Sequence, residues 1–492
     1  MRLSQSTLAT LPYGIAGPAR RPATVGIVHL GLGAFHRAHQ VAYTDDALLH
    51  AGPAAAGMGI CAVSLKTPGA RDRLAPQDGL YTLIEKSPEG VRRRVLGSLI
   101  EVRFLGEERH EVHARLAAKE TSIVSLTITE KGYGHDPATG ALNPAHPEIA
   151  PDLADPGHPR GAVGLIVAAL DARRLSHGVP LTVLCCDNLP HNGRLVRGLV
   201  LEFARRRDDA LAHWIERHVT FPSTMVDRIV PATTDADVAE NDAALGLTDA
   251  APVVCEPFRQ WVIEDAFVGG RPPWESAGAE LVDDVAPYEA MKLRLLNGSH
   301  SALAYLGYLA GYEYIYQVAG DPAFATYMRA LMGEAVPTLR VPARVDLGGY
   351  RDALARRFVN PALPHRTKQI AMDGSQKLPQ RLLGTVRDNL ASGRPIARLA
   401  LAVAAWMRYV GGRDEGGRAI DVADPLAATF AAIAEAHRGD PAAHARALLG
   451  VEAVFDHDLP QDPRFTRPVI AWLESLHAQG AARTVQDCNA RP

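Results

Sequence analysis

The apolar positions in the first half of the chain form short, uninterrupted runs. Four of them, at residues 23–30, 59–65, 122–128 and 181–186, have the length and composition of buried strands. Residues 161–174 have helical periodicity instead, and residues 135–160, rich in Pro, Gly, His and Asp, are expected to form largely a surface loop. Strands spaced by helices predict a mostly parallel sheet, so we expect a doubly wound α/β domain.

The pattern changes at about residue 286, where the strand signal fades. Ala, Leu and Arg then dominate, and helical runs cover residues 291–311, 322–332, 396–410 and 427–449. We therefore expect two domains, an α/β domain over residues 1–285 and a mainly α-helical domain over residues 286–492.

A glycine-rich turn follows the first predicted strand at once, in the sequence Gly31-Leu-Gly-Ala-Phe-His-Arg-Ala-His-Gln40. Between a strand and a helix, such a turn lets a pyrophosphate approach backbone N–H groups. The dinucleotide-binding fingerprint has a third glycine where this chain has His36, so an ordinary turn is the alternative. Its position favours nucleotide binding and a Rossmann-type domain.

Three polar residues interrupt the apolar run at 291–311: Lys292, Asn297 and His300. At about 100° per residue, His300 falls about 80° and Asn297 about 140° from Lys292, so all three can face one pocket. A lysine buried there can lose its proton near neutral pH and act as a base. The alternative is a lysine that reaches water beside two ordinary polar residues.

These two features and three further blocks resemble the mannitol dehydrogenase family, the polyol-specific long-chain dehydrogenases. The family's own turn carries Phe-His in place of the third glycine. The further blocks, in the family's order, are Cys186-Asp-Asn-Leu-Pro-His-Asn-Gly193, Phe221-Pro-Ser-Thr-Met-Val-Asp-Arg-Ile-Val-Pro231 and Glu256-Pro-Phe-Arg-Gln-Trp-Val-Ile-Glu264. The likeness extends over most of the chain.

The resemblance implies metal-independent hydride transfer between a nicotinamide and a secondary alcohol or ketone. It makes Lys292 the general base, Asn188 and Asn297 the amides that hold the developing alkoxide, and His300 the residue that orients substrate or lysine. Donors of this kind are worth about 3 kcal/mol each in the transition state. The resemblance and the position of the turn assign cofactor binding to Gly31, Gly33, Phe35, His36 and Arg37. The helix that carries Lys292 is expected to face this turn across a cleft between the domains.

The cofactor is expected to be NAD on family grounds, with NADP not excluded. NAD-selective folds place an acid at the end of the second strand to bind the ribose 2′-hydroxyl. This chain has Lys66 and Thr67 there. Lys66 can accept a 2′-phosphate, and Thr67 can equally bind a hydroxyl.

Residues 360–381, and also 76–82, resemble the fructuronate reductase branch of the family more closely than the mannitol branch. A sugar acid needs a cation for its carboxylate, for which Arg366 and Lys377 are candidates, with surface cations as the alternative. Asp227 is expected either to contact substrate hydroxyls or to be a salt-bridged structural residue. We expect interconversion of D-mannonate and D-fructuronate, with mannitol 2-dehydrogenase activity as the alternative.

The amino-acid composition limits the classes of molecule that the protein is expected to bind. The 492 residues are 47% hydrophobic with a net charge of −3, so no global field attracts nucleic acid or a membrane. The five cysteines form no zinc-binding spacing and fit a reducing cytoplasm, so no metal is expected. The expected partner is a small sugar acid or polyol, bound by a monomer or small homo-oligomer. A zinc-dependent alcohol dehydrogenase and a non-catalytic sugar or nucleotide sensor are the other classes considered.

Overall fold

The computed structural model describes residues 1–18, 20–50, 57–136 and 139–491. The chain divides into two compact units, Met1–Ala286 and Pro287–Pro492. Of the predicted surface loop at 135–160, residues 137 and 138 lie outside the described residues. The rest of that segment is mostly irregular, but Leu142 and Ile149 are buried within it.

The first unit is built on a six-stranded sheet in which every pair is parallel. Its order is β5-β2-β1-β6-β7-β8. The strands described in this unit are β1 (Val25–Leu30), β2 (Gly59–Ser64), β3 (Tyr81–Ser87), β4 (Gly90–Leu96), β5 (Leu99–Phe104), β6 (Ile123–Leu126), β7 (Leu181–Cys185), β8 (Val219–Thr220), β9 (Thr224–Asp227), β10 (Val253–Cys255), β11 (Gln260–Glu264) and β12 (Glu280–Val282). The order reverses between β1 and β6, the switch point beside which ligands bind in open α/β sheets.

Helices cover both faces of this sheet, which is why its central strands are apolar on both sides. Val28 and Leu30 face one core with α4, α6 and α7, whereas Ile27 faces a second core with α2 and β11. The helices of this unit are α1 (Ala34–Ala38), α2 (Gln40–His50), α3 (Gly69–Leu74), α4 (Arg109–Ala117), α5 (Ala150–Ala154), α6 (Ala162–Ser176), α7 (Asn192–Arg205), α8 (Asp209–His218) and α9 (Asp235–Leu245).

Two three-stranded sheets complete the unit, and the sequence pattern predicted neither of them. One has the order β10-β3-β4, with β3 and β4 as an antiparallel hairpin. The other has the order β12-β11-β9, and its antiparallel pair sets Asp227 opposite Gln260.

The described residues of the second unit form helices joined by loops, with two isolated β-bridges and no strand. Its helices are α10 (Ala286–Met291, which starts at the unit boundary), a first π-helix (Lys292–Asn297), α11 (Gly298–Leu309), α12 (Ile315–Gly320), α13 (Pro322–Ala335), α14 (Leu347–Phe358), α15 (Thr367–Ala371), α16 (Gly374–Leu378), a second π-helix (Pro379–Leu383), α17 (Gly384–Ala391), α18 (Ala397–Val410), α19 (Ala427–Ala436), α20 (Pro441–Leu449), α21 (Glu452–Phe455) and α22 (Pro463–Asn489). Short 3₁₀ helices across both units cover Gln5–Thr10, Ala75–Gln77, Glu130–Tyr133, Trp274–Ala277, Val336–Thr338 and Leu459–Gln461. The predicted fold class, an α/β domain followed by a mainly helical one, is confirmed.

Two long helical runs predicted from the sequence are interrupted. The run at 427–449 ends its first helix before Gly439, whose φ of +84° is left-handed, and restarts where Asp440 caps α20. The run at 291–311 begins at Met291, the last residue of α10, continues as a π-helix over Lys292–Asn297, and is α-helical again from Gly298. No helix among the described residues is long and apolar enough to cross a membrane.

Candidate functional site

The glycine turn after β1 is fixed by main-chain contacts. The N–H groups of Gly31 and Leu32 both donate to the carbonyl oxygen of Val63, at 3.0 and 3.2 Å. Gly31 has a φ of +103°, and a Cβ there would lie 2.0 Å from the carbonyl oxygen of Thr127. Gly33, by contrast, is exposed, and a Cβ there would have only the Gly31 carbonyl oxygen within 4 Å, at 3.8 Å. Gly31 therefore shapes the turn, and Gly33 leaves its backbone open to a ligand.

The side chains that follow this turn point mainly into the first unit. Arg37 is buried and donates to the carbonyl oxygens of Gly33 (3.3 Å) and Ala251 (2.5 Å). Half-buried Phe35 stacks on His39 with the ring centroids 5.0 Å apart. His36 is also fully buried. Of the five residues predicted to bind cofactor at this turn, Gly31, Gly33 and Phe35 thus lie toward the surface, and His36 and Arg37 lie beneath it.

Lys66 lies just beyond the end of β2, as predicted, and forms an ion pair with Glu148. Its side chain is mostly exposed, whereas that of Glu148 is half-buried. The tertiary structure thus brings to the end of β2 the carboxylate that the local sequence lacks.

The loop that carries Asn188 is tied to the loop after β6 by its neighbour Asp187. The Asp187 carboxylate accepts from the N–H groups of Ile128 (2.8 Å) and Thr129 (3.2 Å) and from the Tyr133 hydroxyl (2.6 Å). Burial raises the pKa of Asp187, and these three hydrogen bonds oppose that rise. Asn188 itself is exposed at the carboxyl end of β7, and Cys185 and Cys186 beneath it are core residues, as predicted.

Asn192 joins the Cys186–Gly193 block to the Phe221–Pro231 block. Its Nδ2 donates to the carbonyl oxygens of Asp187 (3.0 Å) and Thr224 (2.9 Å), and its Oδ1 accepts from the Thr224 N–H at 2.9 Å. Thr224 begins β9, and buried Asp227 ends it. The asparagine therefore sets the Asn188 loop against the strand that carries Asp227.

Arg228, next in the chain, does not use Asp227 for its main ion pair. Its buried guanidinium pairs with Glu85 at 2.5 Å and donates to the carbonyl oxygens of Glu256 and Ala38. Arg228 is thus structural, and the substrate contact of Asp227 stays a prediction.

In the second unit, Lys292 and Asn297 are the first and last residues of the first π-helix. Both are buried, with exposed fractions of 7% and 9%. In a π-helix each hydrogen bond closes between residues i and i+5, so residues five apart come onto the same side. The angle predicted for an α-helix therefore does not apply to Lys292 and Asn297, because the i+5 spacing of a π-helix favours a shared side. Single π-turns within α-helices are frequent at functional sites.

His300 lies one turn further along, in α11, among basic groups. Its ring is 5.7 Å from the ring of His365, and its buried Nε2 has no hydrogen-bond partner among the described residues. Burial lowers the pKa of His300 well below its usual value. Electrostatic interactions with His365, Arg381, Arg357 and Lys377 lower the pKa further.

The two cations predicted for substrate binding have different surroundings. Arg366 lies on the surface, paired with Glu313 at 2.5 Å and with its guanidinium 5.4 Å from the Tyr314 ring centroid. Lys377 belongs to the basic group around His300, and its amine donates to the carbonyl oxygens of Met372 (2.6 Å) and Ile370 (3.4 Å). Burial, and then the charge of Arg381, lower the pKa of Lys377 to about 8.

Sequence reasoning missed Arg381, which lies in the second π-helix. Its guanidinium donates to the Ser301 Oγ at 3.0 Å, and its carbonyl oxygen is 2.8 Å from where a Cβ on Gly298 would be. The two π-helices thus approach each other closely at Gly298. Arg381 follows Lys377 by four residues, about one helical turn, and this spacing was the sequence signal that could have identified Arg381. Arg357 and His365 were missed as well.

No group of three or more His, Cys, Asp or Glu side chains among the described residues is arranged to hold a metal ion. His36 and His39, three apart in sequence, are instead packed among aromatic rings. The described part of the chain therefore offers no ligand set for a catalytic zinc.

Comparison with known proteins identifies the class. Residues 25–276 match the Mannitol dehydrogenase Rossmann domain, and residues 284–477 match the Mannitol dehydrogenase C-terminal domain. The chain is 49% identical over 489 residues to the uncharacterized oxidoreductase YdfI of Escherichia coli (strain K12), covering 98% of each chain. It is 48% identical over 464 residues to the D-mannonate oxidoreductase of the same organism, covering 93% of this chain and 94% of that one.

A solved structure extends the likeness to three dimensions. The ternary complex of Pseudomonas fluorescens mannitol 2-dehydrogenase with NAD and D-mannitol superposes with a TM-score of 0.86 at 40% identity, covering 100% of both chains. Fold and comparisons together define an oxidoreductase with a Rossmann-type domain followed by a mostly helical one. Within that class, the chain belongs to the mannitol dehydrogenase family, and the predicted resemblance is confirmed.

Proposed function

We propose that this protein interconverts a sugar-acid secondary alcohol and its ketone with NAD(H), and that the pair is D-mannonate and D-fructuronate. One observation carries the choice of a sugar acid: the basic surroundings of His300. Arg381, Arg357, Lys377 and His365 all act on this histidine with positive or potentially positive charge. The D-mannonate oxidoreductase relative, 48% identical, supports the same substrate class.

The argument from charge is direct. Bringing several cations around one buried ring is unfavourable unless an anion balances them, and a carboxylate does so through charge-assisted hydrogen bonds. D-Mannonate differs from mannitol by such a carboxylate, which a neutral polyol cannot offer to these cations. His300 offers a buried Nε2 with no partner among the described residues, which suits a hydrogen bond to the substrate.

The roles of the chain's own residues follow from their chemistry. NAD(H), held at the glycine turn, would supply the hydride chemistry, which takes a hydride from the carbinol carbon in oxidation and returns one to the carbonyl carbon in reduction. In oxidation Lys292 enters with a neutral amine, and its Nζ takes the hydroxyl proton as the C–H bond breaks. In reduction the same Nζ gives that proton back to the oxygen. The side-chain amides of Asn188 and Asn297 donate to that oxygen while it carries negative charge. Asp227 accepts from a substrate hydroxyl.

The first unit fits a dinucleotide. The open backbone at Gly33, the left-handed turn at Gly31 and the reversal of strand order beside them are the features that such cofactors use. We assign residues 1–285 to cofactor binding, with Asn188 and Asp227 as additional site residues from that part of the chain, and residues 286–492 to substrate binding and catalysis. NAD rather than NADP is our choice because Glu148 sets a carboxylate beside Lys66, where a 2′-phosphate would be repelled and a 2′-hydroxyl accepted.

A polyol dehydrogenase is the second candidate. Two of the three donors of Lys377 already bind main-chain carbonyls, which weakens its claim to a substrate carboxylate. The 40% identical mannitol 2-dehydrogenase that binds D-mannitol supports this alternative.

Oxidation of NADH decides between the two. The purified protein is assayed with D-fructuronate, D-tagaturonate, D-fructose and D-xylulose, and kcat/KM is compared. We expect a clear preference for fructuronate over fructose. A preference for fructose would overturn the sugar-acid proposal and favour the polyol reading.

A further inference from the structure

Two buried imidazoles lie face to face beneath the glycine turn. The ring of His36, in α1, stacks on that of His29, in β1, with the centroids 3.4 Å apart and the planes 4° from parallel. Both side chains are completely buried. His36 occupies the position of the third glycine in the dinucleotide fingerprint, which normally allows the helix to pack closely on the strand. In this chain a flat ring resting on a second flat ring occupies the same place.

The lower ring is bound to the loop that shapes the turn. His29 Nδ1 lies 2.8 Å from the Ser125 Oγ, and His29 Nε2 lies 2.8 Å from the Thr127 Oγ1. The Thr127 hydroxyl in turn donates to the carbonyl oxygen of Gly31 at 3.0 Å. The Thr127 carbonyl oxygen is the atom that excludes a Cβ from Gly31. One side chain of β1 thus connects the stack to the backbone of the turn.

Both rings are neutral at the pH of the cell, so they stack without charge repulsion. Burial lowers the pKa of His29 to about 3. Burial also lowers the pKa of His36 well below its usual value, and the charges of His29, Arg37 and His39 lower it further.

We propose that the His29–His36 stack is the positioning element of the nucleotide turn, replacing the third glycine by setting the height of α1 above β1. The inference rests on the proposed function, because it takes this turn as the NAD(H) site. In this proposal the flat shape of the residue 36 ring positions α1, and the ring nitrogen atoms do not contribute.

Two variants of similar bulk separate shape from chemistry. His36→Leu fills the space but has no flat ring, whereas His36→Phe keeps a flat ring and removes the nitrogens. We expect His36→Leu to raise the KM for NADH about tenfold with little change in kcat, since the contact energy of one aromatic pair is lost. His36→Phe should remain within about twofold of the wild type on the same scale. Val28→Ala, buried on the opposite face of β1, is the control: it should lower Tm without raising the KM for NADH.

Each result decides the matter. Equal KM values for wild type and His36→Leu would overturn the stack as a positioning element. So would a His36→Phe protein that binds NADH as poorly as His36→Leu or does not fold, because a flat ring would then not suffice. If His36→Leu does not fold, the KM of His36→Phe alone decides: a value within about twofold of wild type supports the proposal, and a higher one overturns it. A wild type that does not bind NADH would overturn the proposed function, and this inference with it.

Discussion

The glycine turn of the first unit and the π-helix of the second differ in the groups that we propose to be functional, which are main-chain groups at the turn and side chains in the π-helix. At the turn the main chain is the proposed ligand-binding group, and its path is fixed by the Val63 and Thr127 carbonyl oxygens around Gly31. In the π-helix the proposed functional groups are the side chains of Lys292 and Asn297, which the i+5 spacing favours on one side of the helix. Substitutions at the turn should therefore act by changing its backbone conformation. Substitutions in the π-helix should lower turnover and leave the fold unchanged.

The largest expected effect comes from the chemistry of the π-helix. Lys292→Ala should lower kcat about a thousandfold at pH 7, because the step loses its general acid and base. The Kd for NADH should remain near that of the wild type. Steady-state turnover and NADH fluorescence titration measure the two quantities.

Lys368→Ala is the matched control, since this exposed lysine pairs with Asp421 in the same unit. It should turn over normally. Near-wild-type turnover by Lys292→Ala would remove this lysine from the role of base.

Substitutions in the glycine turn should instead change stability or cofactor binding, because they alter the space around the backbone. Gly31→Ala should lower the free energy of unfolding by about 3 kcal/mol, because its Cβ meets a backbone oxygen and its φ is left-handed. Gly33→Ala should unfold as the wild type does in a denaturant titration. It should nevertheless raise the KM for NADH about tenfold, since the methyl group occupies the approach to the backbone.

This pair of variants tests the comparison within a single turn. A Gly31→Ala protein as stable as the wild type would show that the Thr127 loop yields, and that the main chain there is not fixed. Unchanged NADH binding in Gly33→Ala would move the cofactor away from this turn.

The parts of the fold that could be predicted from sequence are those whose burial leaves an uninterrupted pattern. Strands β1, β2, β6 and β7 are covered on both faces and so form continuous apolar runs. Strand β4 escaped notice because it carries Arg93 and Arg94, which are half-buried in ion pairs with Glu240 and Asp46. From the sequence alone, these charges indicate a solvent-exposed segment, because their partners Glu240 and Asp46 are distant in the chain.

The candidate site likewise contains residues that could be predicted from local sequence and residues that could not. Motifs identified Lys292, Asn188 and the turn because they are local in sequence. Arg357 acts electrostatically on His300 from a separate helix, and no local sequence pattern predicts that arrangement. The π-helix was hidden as well, since apolar periodicity does not distinguish i+4 from i+5 hydrogen bonding over six residues.

An intermediate effect is expected where the two π-helices meet. Gly298→Ala should lower kcat about tenfold, because its Cβ would come within 2.8 Å of the Arg381 carbonyl oxygen and displace the catalytic segment. The KM for NADH should not change. Gly333→Ala, a helical glycine with nothing within 4 Å, is the control and should be as active as the wild type. Equal kcat values for both variants would mean that the π-helix tolerates displacement.

A pH dependence tests the basic group around His300. Lys377 has a pKa lowered to about 8 by burial and by Arg381, with Asp373 and Asp424 opposing, so its charge is present below pH 8 and lost above it. The KM for fructuronate should therefore rise several-fold between about pH 7 and pH 9, a loss of the size expected for one charge-assisted hydrogen bond. The KM for fructose should not share this rise.

Lys377→Arg keeps the charge throughout this range and should flatten the fructuronate profile. A profile for fructuronate that is as steep in Lys377→Arg as in the wild type would assign the dependence to another group.

The smallest effect concerns cofactor choice at the end of β2. Glu148→Gln removes the negative charge beside Lys66 and leaves that lysine available to a 2′-phosphate. Because Lys66 is mostly exposed and solvent screens the ion pair, we expect kcat/KM for NADPH relative to NADH to rise only about threefold to tenfold. Glu107→Gln, at an exposed carboxylate paired with Arg71, is the matched control and should leave the ratio unchanged. A ratio unaffected by Glu148→Gln would mean that the carboxylate missing from β2 is not supplied by this residue, and that the turn selects NADH by shape alone.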